Sequence, residues 1–431
     1  MEPDLDNASE GNSSMNLASY RDRLAGIVGN FLEHYDNALF GLLSPFIAPL
    51  FFGGEDHITA LILTYCMLPL GIITRPLGSL LFGWIGDTYG RRQALFLSLC
   101  GMAITTVIMG CLPLYKDIGP WSPFSLALCR MFQGFFAAGE GAGGAIFVLE
   151  HTPLTKRSLV SSYYDAFTVA GVLLASGVVT LMSSLSIIEE GWRYLFWTGG
   201  VTAIIGIIFR LQHSKSPEFM NTPRRYKIHL FSEFKRYIRP FLGILFAAGF
   251  SYTTYAFSFT LMNGFIPLVT SLTKNQVMQV NTILLIYDML FLVGMGHLAN
   301  RLGKEKVMLS GAICAVLFAI PAFYLLEHAS LGIVIAVRLA IISFGVAFAA
   351  PYYAWAIERV PVQHRYLLIS LAGALGSQLI GMPTPAICLW LYKTFGWSWI
   401  PALYLQVTGV MAGLSVFLFM RKEKALVLPW K

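Results

Sequence analysis

Twelve apolar runs, divided into six and six by one long polar stretch, constrain this chain more than any other feature. They lie at roughly 24–52, 58–86, 93–115, 122–150, 160–187 and 192–210, then 240–271, 277–299, 307–326, 330–357, 366–394 and 397–420. A helix crossing the hydrocarbon core of a bilayer needs about 20 predominantly apolar residues. Each run meets that length or comes close to it. Composition points the same way. The 431 residues are 56% hydrophobic and 12% charged, whereas a soluble domain carries about 25% charged residues. Too little polar material remains to cover a water-soluble globule. Gly and Pro inside the runs do not argue against helix, because membrane helices tolerate both. The pattern predicts an all-α membrane protein with 12 transmembrane helices.

Charge fixes the expected orientation. With both termini inside, only Lys116, Arg193, Lys274 and Lys393 fall outside. Arg75, Arg130 and Arg338 lie within spans, and every other Lys and Arg falls on the inner side. This is the positive-inside bias. It predicts a bacterial inner-membrane protein, multi-pass, with both termini cytoplasmic. The formal net charge of +7 is spread between apolar runs and gathers in no patch, so nucleic acid is not an expected partner. The acidic, polar N-terminus (Glu2, Asp4, Asp6, Glu10) does not read as a cleavable leader. The expected organisation is a cytoplasmic segment 1–23, a six-helix bundle 24–210, a basic linker 211–239, a second bundle 240–420 and a tail 421–431. The linker carries Lys215, Arg224, Arg225, Lys227, Lys235, Arg236 and Arg239, which suits contact with anionic lipid headgroups.

The two halves echo each other. Gly83, Asp87, Gly90 and Arg91 share their spacing with Gly296, Asn300, Gly303 and Lys304. Arg130, Glu150, Pro153 and Arg157 share theirs with Arg338, Glu358, Pro361 and Arg365. Parallel halves related by an axis along the membrane normal are one transporter architecture, with the substrate site near mid-membrane at the interface of the repeats.

Longer motifs carry a family resemblance. Residues 83–92 read GWIGDTYGRR, which resembles the loop signature of the major facilitator superfamily. Helix one reads GNFLEHYDNALFG, helix two RPLGSLLFGWIGDTYGRR, and helix four RMFQGFFAAGEGAGGAIFVLEHTP. With Gly381-Met382-Pro383-Thr384-Pro385 in helix eleven, these are similar to the metabolite:proton symporter family, which includes proline/betaine, 2-oxoglutarate, citrate and shikimate transporters. The resemblance implies a major facilitator fold of two pseudo-symmetric six-helix bundles. It also implies that Asp87, Arg91 and Arg92 latch the bundles on the cytoplasmic side, without touching substrate. Glu150 with Arg157, and Glu358 with Arg365, are expected to form similar ties. The sequence departs from the family at Asn300, Lys304 and the bulky Ala350-Pro351-Tyr352-Tyr353.

Ionisable groups inside a span cost about 3 kcal/mol or more and normally have a task or a partner. On helix one, Asn30, Glu33, Asn37 and Ser44 share a stripe, with His34 and Asp36 at its edges. This stripe reads either as a polar wall of the translocation path or as bonds that hold helices together. Arg130 is read as opening helix four near the outer end, with Gln133 on its face and Glu140 near mid-membrane. Glu33, Asp36, Glu140 and Asp165 are the proton-coupling candidates; a permanent ion pair with Arg75 or Arg130 is the competing reading for each. The substrate-binding candidates are Asn30, Asn37, Arg75, Arg130, Gln133, Tyr255 and Tyr352. The planar guanidinium fork suits a substrate carboxylate. Tyr252, Tyr255, Tyr352, Tyr353 and Trp355 offer aromatic surface that could hold a cation or simply pack. Asp288 is a further acid in the second half.

Nothing in the sequence points to an enzyme. It carries no GxxxxGK[ST] phosphate loop, no HExxH and no GxSxG, and its six cysteines show no metal spacing. No cofactor or metal is expected. The expected function is secondary active transport: proton-coupled symport of a small carboxylate or zwitterion by alternating access. A proton-independent exchanger or uniporter is the alternative, and a non-transporting membrane sensor a more distant one. The expected partners are the small-molecule substrate, protons and the lipid bilayer.

Overall fold

The computed structural model describes residues 30–71, 74–75, 77–78, 81–82, 85, 91–138, 145, 149, 152–211, 236–327, 329–360 and 362–422. All regular structure among them is helical. The first half contributes α1 (30–51), α2 (His57–Cys66, continued by a tight turn at Leu68–Leu70), α3 (Arg91–Cys111), α4 (Trp121–Ala137), α5 (Arg157–Ser184) and α6 (Ile188–Leu211). The second contributes α7 (Ile238–Tyr255, extended to Val269), α8 (Lys274–Leu302), α9 (Lys304–Tyr324), α10 (Leu331–Ala349), α11 (Val362–Gly376, extended to Phe395) and α12 (Pro401–Lys422). Among the described residues, seven helices are long and apolar enough to span a bilayer by themselves. Most of the expected linker, 212–235, lies outside the described residues, as do Asp87, Glu140 and Glu150.

Local chemistry sets the helix ends. Asp56 caps α2 by accepting from the backbone N–H groups of Ile58 and Thr59, both at 3.1 Å. Thr273 and Gln276 form a reciprocal capping box at the start of α8, satisfying donors that have no partner inside the helix. Gly303, at φ +96°, joins α8 to α9 in a single residue, a conformation that disfavours any side chain.

The halves repeat in three dimensions. Gly171 of α5 packs so closely on α1 that an added Cβ would sit 2.2 Å from the Phe31 carbonyl oxygen. In the second half Gly376 of α11 packs on α7 with 2.3 Å to the Leu245 carbonyl oxygen. Small residues permit this approach in the absence of a hydrophobic drive between membrane helices. The two copies differ in regularity. α1 is unbroken α-helix through its described length. α7 and α11 each pass through a π-turn, at Ala256–Leu261 and Ser377–Gly381. α10 also breaks after Ala349 at Pro351, resuming at Tyr352–Ile357, because proline cannot donate to the helical ladder.

The halves meet along two seams. α5 and α8 run antiparallel, with Ser176 Oγ 2.8 Å from Thr282 Oγ1 at one level and Gly296 tight against Ser162 several turns away. α1 and α2 face α7: Tyr65 donates to the Thr260 carbonyl at 3.0 Å, and Gly41 lies beside Thr260. The connections α1–α2, α3–α4, α5–α6, α7–α8, α9–α10 and α11–α12 share one face, called here the odd-loop face. The remaining connections lie on the even-loop face.

Candidate functional site: a charged and aromatic cluster between the halves

Glu33, Asn37 and Gly41 are spaced to share one face of α1, and Gly41 places that face against α7. Glu33 is half-buried and within electrostatic range of Tyr252 on α7. Arg75 on α2 and Asp165 on α5 reach the same tyrosine, whose hydroxyl hydrogen-bonds to Tyr353. The Tyr353 ring stands edge-on to Tyr164 of α5, 6.3 Å between centroids, and 5.0 Å from Tyr352. Asp165 is also within range of Asp288 on α8, which in turn faces Tyr255. Three helices of each half thus bring Glu33, Arg75, Asp165, Asp288 and a set of tyrosines to one region.

Several polar atoms in this region have no partner among the described residues. Arg75 Nε, Tyr255 OH, Tyr352 OH and Gln378 Oε1 are buried without a hydrogen bond. A Cβ on Gly71 would sit 3.1 Å from Gln378 Oε1 and 3.4 Å from Arg75 Nε, so these two groups flank the same glycine. More than 90% of buried polar groups in folded proteins are satisfied. A cluster of orphans on facing helices fits a site that a polar ligand or water completes. Gln378, in the π-turn of α11, was not among the residues expected from sequence. Its only signal there is a polar side chain within an apolar run, next to Gly381-Met382-Pro383.

Other expected residues lie elsewhere. Arg130 does not open α4: it sits nine residues inside it, about 14 Å along the axis, because α4 begins at Trp121. Its guanidinium lies 4.4 Å over the Phe40 ring and donates to Gln133, whose amide donates in turn to Thr106 Oγ1 of α3 at 3.1 Å. Arg130 remains within range of Arg75. Gln133 is buried inside the first half. Asp36 is 2% exposed and points the same way: its Oδ1 lies against Gly199 of α6, beside Thr106. Asn30 donates to Thr168 Oγ1 of α5 at 2.9 Å, and His34 Nδ1 donates to the Asn30 carbonyl at 2.8 Å. Ser44 returns its hydroxyl to the Phe40 carbonyl. The helix-one stripe therefore divides. Glu33 faces the second half, while Asn30, Asp36 and Ser44 are engaged within the first. Trp355 is also away from the tyrosines, packing on Phe419 with Arg359 5.5 Å from its ring.

The second-half counterpart of Arg130 has a different environment. Arg338 is fully buried. It donates to the Ser258 carbonyl in the π-turn of α7 at 2.8 Å and to Asn281 Oδ1 of α8 at 2.5 Å. Asn281 donates to Ser176 of α5 at 3.2 Å.

At the even-loop face Glu358 pairs with Lys304, and Arg359 with Glu305 at 2.5 Å. Arg157 Nε donates to the Thr152 carbonyl at 3.3 Å. For Arg91, Arg92 and Arg365 only the backbone is described. At the odd-loop face Lys393 of α11 pairs with Asp56 at 2.8 Å, and Lys274 Nζ donates to the Pro45 carbonyl at 2.9 Å. Lys393 and the hydroxyl and backbone of Thr59 hold the Asp56 carboxyl well below the usual carboxylate range.

Two family models match the chain: "Sugar (and other) transporter" over residues 24–229 and "Major Facilitator Superfamily" over 244–430. The proline/betaine transporter of Salmonella typhimurium is 28% identical over 415 residues, covering 91% of this chain and 82% of that protein. The glycine betaine/proline/ectoine/pipecolic acid transporter of Dickeya dadantii is 28% identical over 418 residues, covering 92% and 82%. Among solved structures, a D-xylose–proton symporter superposes with a TM-score of 0.72 at 16% identity, covering 93% of this chain and 97% of that one. These relatives are transporters, not enzymes. The twelve-helix fold, the internal repeat and the two family matches have one common reading: the chain belongs to the major facilitator superfamily of membrane transporters.

Proposed function

We propose that this protein is a proton-coupled symporter of a small zwitterion of the proline or betaine type, working by alternating access. It would sit in a bacterial inner membrane with its even-loop face and both termini in the cytoplasm. The observation that carries the reading is the cluster between the halves. It combines a fork donor at Arg75, an amide at Gln378, aromatic hydroxyls at Tyr252, Tyr352 and Tyr353, and acids at Glu33 and Asp165. A zwitterion needs this set. Its carboxylate pairs with a guanidinium, and its cationic end sits against tyrosine faces and a carboxylate. The names of the relatives, which include proline, betaine and ectoine, support the same class.

Proton coupling needs a carboxyl that changes partners as the halves rock. Glu33 is the leading group, with Glu140, read from the sequence, beside it; Asp36 is set back within the first half. Arg130 supports Arg75 from behind, and Asn37 and Tyr255 line the same space. In the outward-facing state Glu33 takes up a proton, Arg75 takes the substrate carboxylate, and the odd-loop face closes over both. Asp56–Lys393 and Lys274–Pro45 form that closure. Release to the cytoplasm requires the even-loop face to open, where Asp87, Arg91, Arg92, Glu150, Arg157, Glu358 and Arg365 are assigned as the gate.

The test is uptake into proteoliposomes with labelled proline, glycine betaine, ectoine and 2-oxoglutarate, each with and without an inward proton gradient. Concentrative uptake of a zwitterion that collapses with the gradient is the expected result. Uptake that only equilibrates and ignores the gradient would replace symport with facilitated exchange. Accumulation of 2-oxoglutarate alone would replace the zwitterion with a dicarboxylate.

A further inference from the structure

Asp165 and Asp288 face each other across the seam between the halves. The register of that seam follows from its hydrogen bonds. Ser176 meets Thr282, Thr180 reaches the Met278 carbonyl, and Gly296 abuts Ser162. In this antiparallel register Asp165 is level with Val293, and Asp288 with Ala170. Their Cα atoms are offset by a little over one turn, about 7 Å along the axis. Both occupy the packed faces. Asp165 lies one turn from Ser162 and Val169 on α5, and Asp288 one turn from Leu284 and Leu292 on α8; Val169, Leu284 and Leu292 belong to one buried cluster.

Neither the half-buried Asp165 nor the buried Asp288 has, among the described residues, the partner that an ionised carboxylate inside a helix seam requires. Asp288 is 5% exposed. Among the described residues, no hydrogen bond and no cation reaches either carboxyl. The other titratable groups facing them are Tyr255 and Tyr252 from α7, Tyr352 and Tyr353 from α10, and Tyr164 beside Asp165. Tyr287, next to Asp288, is turned to Ser343 of α10 at 2.8 Å. Arg75 and Glu33 lie within range of Tyr252 in this group. The hydroxyls of Tyr255 and Tyr352 are themselves buried and without a hydrogen bond among the described residues, and Tyr352 is 4% exposed. Two ionised carboxylates in such a place would repel each other with nothing to offset their desolvation. The neutral acid is the form the seam tolerates.

We propose that Asp165 and Asp288 form a second proton-holding site that spans the two halves, retaining at least one proton while the α5–α8 seam is closed in this form. The pair titrates as a unit. When the seam separates and water enters, a carboxyl O–H bond breaks and its proton passes to that water. The two carboxylates then repel, which opposes reclosure until a proton returns. Proton binding is thereby tied to the relative position of the halves and not only to substrate occupancy. This deepens the symport reading and rests on it for its transport consequence, but its structural core stands alone.

The structural core is tested by infrared spectroscopy of the purified full chain at neutral pH, following the protonated carboxyl stretch and its shift in deuterium oxide. Wild type should show a buried carboxylic acid band that shrinks in Asp288→Asn and in Asp165→Asn. Asp288→Glu, which keeps the acid, should restore it. Thermal unfolding of each variant reports whether the fold survives. An unchanged band in both Asn variants overturns the proposal whatever transport does. Uptake supplies the second arm. If wild type concentrates glycine betaine on a proton gradient, Asp288→Asn should lose that concentration, with Asp288→Glu recovering it. Full gradient-driven accumulation by Asp288→Asn overturns the coupling role and leaves the symport reading intact. Wild type that ignores the gradient sinks the symport reading, while the infrared result still decides whether the pair holds a proton.

Discussion

Arg130 and Arg338 occupy the same place in the internal repeat, yet the two halves use them in opposite ways. Arg130 is half-buried on α4, stacked on Phe40 and bonded to a glutamine, with Arg75 nearby. Arg338 is sealed inside the second half and bonded to the Ser258 carbonyl within the π-turn of α7. The helices around them differ in the same sense. α1 runs unbroken beneath a charged face, whereas α7 and α11 carry π-turns side by side, with Thr253 donating to the Ile380 carbonyl at 3.5 Å. A π-turn inserts one residue into the ladder and lets a helix bend locally. The first half thus supplies fixed charge and the second supplies joints.

The largest effect that could break this comparison is expected at Arg338. Replacing it with Ala removes charged hydrogen bonds to Ser258 and Asn281, each worth about 1.5–3 kcal/mol. Arg338→Ala should lower thermal stability in detergent by several degrees and reduce the yield of folded protein. Arg130→Ala should unfold close to wild type yet lose uptake. Equal destabilisation by the two changes would remove the distinction between the halves.

Arg75→Lys comes next. It keeps the charge and removes the planar fork. Uptake should fall by about tenfold or more, the equivalent of one charged hydrogen bond, with no change in unfolding temperature. Retained uptake would mean that Arg75 is a simple counter-charge.

The glycine pair sharpens the comparison at smaller cost. Gly171→Ala and Gly376→Ala both push a methyl into a facing carbonyl, and overpacking of this kind costs about 1–3 kcal/mol. Gly376 immediately precedes a π-turn, so its helix can shift, whereas α5 at Gly171 has no such joint. Gly171→Ala should be the more destabilising in a thermal scan.

The smallest effect belongs to Asp56, on the exposed odd-loop face. Its carboxyl is depressed by Lys393, so the attraction is present at neutral pH. It fades only as the pH falls through and below the ordinary carboxylate range. Asp56→Asn should slightly raise the labelling rate of a cysteine placed at Pro45, and acid should raise the rate in wild type but not in the variant.

The sequence made the gross architecture legible. Six and six apolar runs, the basic stretch between them and the repeated Arg–Glu–Pro–Arg spacing all point to twelve helices in related halves. Glu33 and Arg75 stood out in the sequence as candidates because charge inside an apolar run is costly wherever it sits. The depth and company of each charge were not. Arg130 was placed too near its helix end, since the apolar residues from Trp121 onward do not mark where the turn stops. Asp36 stood behind Glu33 as a coupling candidate at the margin of the same stripe, and the packing of α3 and α6 shows it engaged within the first half. The π-turn Ala-Phe-Ser-Phe-Thr-Leu contains neither Gly nor Pro, so no local signal announces it. Gln378 was missed because its value lies in being adjacent to Arg75, which only the folded chain creates.

The central claim is that substrate and proton cross together through the cluster between the halves. It is tested most directly by recording external pH while substrate is added to de-energised proteoliposomes. The account predicts a transient alkalinisation as substrate enters wild type, absent in Glu33→Gln. Entry of labelled substrate into wild type with no movement of external pH would contradict it.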